Sequence, residues 1–121
     1  MNQSTNQKDL FDLDKLNQMF DNDNNQIIKV IKIAIEVIPQ YNSNLKTAIN
    51  QQNYKEIKFH AHKIKAILLS LGSTNTIQII KNIEALTEKN SPQSEFLALY
   101  KDLEANITKL LKILNMYINN Q

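Results

Sequence analysis

The 121-residue chain contains one glycine and two prolines. So few chain breakers require long helices joined by short turns. The apolar residues agree, because they recur at three- and four-residue intervals instead of alternating. Phe11, Leu13, Leu16, Met19 and Phe20 give a short first helix, capped by Asp9 or Asp12. Ile27, Ile31, Ala34, Ile38, Tyr41, Leu45 and Ala48 or Ile49 give a long helix to about residue 50. Pro39 lies inside it and predicts a kink or short break, since proline removes one N–H and crowds the preceding turn. Ile28 and Ile35 form a second apolar edge, expected to pack under the first helix, or alternatively to add to the docking surface. Another helix spans about 53 to 71, with Gly72 placed to end it in the left-handed conformation. Ser73 or Thr74 then caps a helix to about residue 89. Pro92 opens the last one, whose stripe runs from Phe96 to Tyr117. The expected fold is all-α: an antiparallel four-helix up-down bundle with a short extra N-terminal helix. Residues 1–8 read as a disordered polar tail and 9–121 as one helical domain.

Composition narrows the function. There is no cysteine, which removes disulfides, thiol chemistry and Cys-ligated metals. Net charge is +2, and every basic residue is lysine. Without arginine the bidentate recognition of guanine or phosphate is missing, so no nucleic-acid partner is expected. No apolar run is long enough for a bilayer and the first residues lack a secretion signal, which implies no membrane and a cytoplasmic chain. A single glycine cannot build a Gly-rich phosphate loop, so no nucleotide site of that kind is expected. The initial methionine and polar start favour a free-standing protein.

The informative stretch is residues 59–72. Tyr54, Ile57, Ala61, Ile64, Leu68 and Leu71 fall on one helical stripe. At about 100° per residue, His62 lies roughly 140° from the stripe centre and His60 only about 60° from it. His62 is therefore the histidine presented to a visitor, and His60 is a boundary residue. Phe59, Ala66 and Leu69 neighbour His62 at three, four and seven residues, with Lys55, Lys58 and Lys65 around them. An exposed apolar patch rimmed by charge marks a docking surface.

Ala61-His62-Lys63-Ile64-Lys65-Ala66, followed by Leu71-Gly72-Ser73, resembles the signature of the histidine phosphotransfer (HPt) domain family. That signature is Ala-His-x-Leu-Lys-Gly, an apolar spacer, then Leu-Gly-Ala. Lys65 falls on its lysine and Gly72 on its second glycine. Glu84 after Ile83 resembles its downstream Leu-Glu. Ala66, Ile64 and Ser73 depart from glycine, leucine and alanine, and Ala66 adds one methyl beside the histidine.

The resemblance implies a phosphocarrier of two-component signalling. His62 would accept phosphate from a receiver aspartate of a response regulator or hybrid sensor histidine kinase, and pass it to another receiver. Lys65 would balance charge on the phosphoryl group, with Lys58 helping at longer range. Lys55, Lys58, Phe59, Ala66 and Leu69 would form the docking face. No cofactor is implied on this chain, because Mg²⁺ would belong to the receiver. The small apolar patch fits a monomer.

Other readings are weaker. His60 and His62, two residues apart on a helix, point about 200° from each other and cannot share one metal ion. No acidic cluster is expected to face His62. No spaced Ser/His/Asp set exists for hydrolysis. A helical adaptor that docks a partner through the same face without phosphotransfer is the main alternative.

Overall fold

The structure, a computed structural model, describes residues 7–121. Six helices follow one another: α1 (Gln7–Leu10), α2 (Leu13–Met19), α3 (Asn24–Asn50), α4 (Tyr54–Leu71), α5 (Thr74–Glu88) and α6 (Gln93–Asn119). The last four form an up-down bundle in which α3 packs on α4 and α6, and α5 packs on α4 and α6. The short turns between them force antiparallel neighbours.

The N-terminal region departs from expectation in two respects. Gln7 and Lys8 of the presumed tail are already helical, and residues 1–6 lie outside the described residues. The single first helix is two short ones, because Asp12 breaks the chain direction to act as a cap. Its carboxylate accepts from the Lys15 N–H at 3.2 Å and opens α2.

The long helix α3 runs unbroken from Asn24 to Asn50 through Pro39, so the expected break is absent. Proline costs the bond that residue 39 would have donated to Ile35 and crowds that carbonyl. Pro39 is exposed, where its ring does not have to fit a packed core. Apolar side chains that keep phase on both sides of it, Ile31 to Ile38 and Leu45 to Ile49, are buried and hold the helix together. Each such burial is worth about 1.5–3 kcal/mol. Of the second edge, Ile35 packs against the core and Ile28 is half-buried.

Helix α4 is bounded as its sequence predicts. The Asn53 side chain accepts from the Glu56 N–H at 3.2 Å, and Gly72 ends the helix at φ +65°. Gly72 is required twice over. Its conformation is left-handed, and a Cβ there would lie 2.8 Å from Cβ of Asp12. That crowding reflects the docking of α2 on the end of α4, where the Asp12 N–H donates to the Leu71 carbonyl at 3.0 Å.

Two further contacts close the bundle. The Tyr54 hydroxyl donates to the Ser91 carbonyl at 2.6 Å, tying the start of α4 to the α5–α6 turn. At the other end the Tyr117 hydroxyl donates to Oδ1 of Asn24 at 3.1 Å, joining the end of α6 to the start of α3.

Candidate functional site

The apolar stripe of α4 fixes everything else on that helix. Ile57, Ala61, Ile64, Leu68 and Leu71 are buried, so the opposite side must face water. His62 stands there with its side chain 73% exposed. Phe59 and Leu69 are also exposed, at 54% and 48%, and Ala66 and Lys55 lie in solvent beside them. An exposed phenylalanine and an exposed leucine on one face are unusual enough to mark it. Lys55, Lys58, Phe59, His62, Lys63 and Glu84 line an open depression of about 360 Å³ next to the imidazole.

The site is not confined to α4. The turn at Gly72 folds α5 back, and His62, ten residues before the glycine, comes level with Glu84, twelve after it. Oε2 of Glu84 lies 3.6 Å from Nδ1 of His62. That is beyond hydrogen-bonding distance but well within electrostatic range. Oε1 of the same carboxylate accepts from Nζ of Lys65 at 2.8 Å. Both partners of this second contact are about four-fifths buried, so water screens it little. One turn earlier, Nζ of Lys58 donates to Oε2 of Glu88 at 2.6 Å. This bond and the Glu88 charge hold the Lys58 ammonium above the usual lysine range.

One acidic residue, Glu84, does face His62, which the sequence reading did not single out as a contact. Its position in a downstream motif was visible, but its contact with His62 depends on how α4 and α5 fold onto each other. Lys63 is another residue that the sequence reading left aside. Its Nζ sits 4.7 Å from the ring centre of Tyr41 on α3 and 5.5 Å from that of Phe59.

His60 points elsewhere. Its Nε2 lies 3.3 Å from Oε1 of Glu56, one turn back, and its Nδ1 is buried without a partner. It lines a polar hollow with Asn44, Thr47 and Gln51 at the end of α3. Among the described residues, no group of three or more His, Asp or Glu side chains is placed to hold a metal ion. No described helix is long and apolar enough to cross a membrane.

No family model matches the sequence. No curated protein matches it either. The three-dimensional comparison is decisive for the fold. Over 93% of this chain and 97% of the other, the structure is similar to the HPT domain from the Hpt sensor hybrid histidine kinase of Shewanella, with a TM-score of 0.81 and 15% sequence identity. The chain has the fold of an HPt domain. In this HPt fold the motif histidine and lysine stand on the second long helix, and the motif glutamate reaches them from the third.

Proposed function

We propose that the chain is a phosphocarrier that takes phosphate from a receiver-domain aspartate onto His62 and returns it to another receiver. The observation that supports this best is the pairing of an exposed imidazole with a charged pair at its base. His62 is open to a visitor, and Glu84 and Lys65 are held within reach of it.

The chemistry follows from those groups. A neutral imidazole carries a nucleophilic lone pair on one ring nitrogen and a proton on the other. The Glu84 carboxylate beside Nδ1 favours the tautomer that carries its proton there. The lone pair is then on Nε2, on the outward side of the ring. It attacks the phosphorus of the aspartyl phosphate. The N–P bond forms as the P–O bond breaks, and that electron pair returns to the aspartate carboxylate. The proton stays on Nδ1, and the positive charge that develops on the ring faces Glu84. The reverse transfer uses the same groups.

Phosphoryl transfer is mostly positioning and charge stabilisation. Lys65, one turn beyond His62, supplies a cation near the equatorial oxygens. The Mg²⁺ that the reaction needs belongs to the receiver, so this domain supplies one half of an active site. Phe59, Ala66 and Leu69 give that receiver an apolar seat, and Lys55 and Lys58 lie at its rim.

The test is transfer of label. A receiver charged with radiolabelled phosphate is mixed with the chain and Mg²⁺. Acid-labile, base-stable label is expected on the wild type and none on His62→Gln, at unchanged helical content. Equal labelling of the variant would remove His62 from the role. No label from any of a panel of receivers would favour an adaptor that docks without chemistry.

A further inference from the structure

The lysines around His62 are not equivalent. On the α5 side, Lys58 and Lys65 are already answered by Glu88 and Glu84 at 2.6 and 2.8 Å. A partner carboxylate there would meet two acids as well as two bases. On the α3 side stands Lys63. No described carboxylate pairs with it, and its ammonium rests over the rings of Tyr41 and Phe59. The rings stabilise the cation without neutralising it, so its charge remains available to a partner.

Tyr41 belongs to an apolar edge of α3. Ile33, Val37 and Tyr41 follow one another at four-residue spacing along α3, with Ile33 53% exposed. Helix α3 is buried in the core chiefly through Ile31, Ala34 and Ile38, and Tyr41 packs partly against it. Lys63 thus sits at the seam of α3 and α4, over Tyr41 of one helix and Phe59 of the other, and adjoins His62 in the chain.

Building on the phosphocarrier reading, we propose that Lys63 is the specificity-determining cation of this domain. It receives a carboxylate that lies beside an apolar face of the receiver, and so seats the receiver across α3 and α4 instead of α4 and α5. The Tyr41 and Phe59 rings hold the ammonium in place before the partner arrives, which lowers the ordering cost of docking. Lys63 is a positioning residue, since it touches the partner and not the reacting phosphorus.

The experiment measures the concentration dependence of phosphotransfer from one labelled receiver to wild type, Lys63→Met, Lys63→Arg, Lys63→Glu and Lys58→Glu. Lys63→Met keeps the aliphatic stem and removes the charge. It is expected to raise the apparent KM several-fold, up to about tenfold, with kcat and thermal stability unchanged. Lys63→Arg should restore the wild-type KM, and Lys63→Glu should raise it further than Lys58→Glu. Equal KM values for wild type and Lys63→Glu, or a larger effect of Lys58→Glu, would overturn the proposal and leave the phosphocarrier reading standing. Absence of label on the wild type would overturn that reading, and this proposal with it.

Discussion

Oε2 of Glu84 lies 3.6 Å from Nδ1 of His62, although the two residues belong to different helices. The same carboxylate holds Lys65, so one acidic group contacts both residues assigned to the chemistry. Its removal should affect transfer in a way that is separable from folding. Glu84→Gln keeps the shape and loses the charge. Its kcat for phosphate acceptance is expected to fall roughly fivefold to tenfold, about 1–1.4 kcal/mol of transition-state stabilisation. The nitrogen-15 shifts of the His62 ring should show less proton on Nδ1 than in wild type. An unchanged tautomer population together with an unchanged kcat would mean that the contact is incidental.

Leu68 and Leu69 are neighbours in sequence with opposite surroundings. Leu68 is fully buried and Leu69 is half exposed. Leu68→Ala should cost about 2–5 kcal/mol of stability, read as a lower urea midpoint. Leu69→Asp should leave that midpoint within about 0.5 kcal/mol and weaken receiver binding instead. Should Leu69→Asp unfold the domain, the exposed face has been assigned wrongly.

Gly72 has no tolerable replacement at its position. Gly72→Ala brings a methyl against Asp12 and forces a non-glycine residue to φ +65°. The backbone term alone is about 1–3 kcal/mol, and displacement of α2 adds to it. Thermal denaturation should show a clear drop in Tm. A melt that superimposes on the wild type would exclude both terms.

Tyr100 provides a pH handle. Burial, and then the charge of Glu104, push its phenol above the usual tyrosine range, with a hydrogen bond to Asn42 opposing. In the unfolded chain the phenol ionises near pH ~10. Above that pH the unfolded state releases its proton more readily than the folded state, so stability declines as pH rises towards the folded value. Tyr100→Phe should flatten this alkaline decline. Identical stability–pH curves for the two proteins between pH 9 and 11 would rule it out.

Most of the bundle was legible because its signals are local. The spacing of Ile57, Ala61, Ile64 and Leu68 fixed which side of α4 is buried, and with it which histidine is exposed. Gly72 marked the end of that helix for a steric reason visible in one residue type. What escaped the sequence was set by distant partners. The continuity of α3 through Pro39 depends on packing against α4 and α6, which outweighs one lost hydrogen bond. The pair at Asp12 and Gly72, the reach of Glu84 towards His62 and the seat of Lys63 on Tyr41 all join separate helices. Periodicity along one helix carries no information about such pairs.

Asn24 bonds to both Tyr117 and Gln121, and α1 packs against α5 and α6. The first and last described helices therefore leave the bundle at one end, beside the C-terminus of α4. His62 lies nine residues from that terminus, about 13 Å along the helix axis. The described chain thus enters and leaves at one end of the bundle, and neither described end crosses the side of α4 that carries His62.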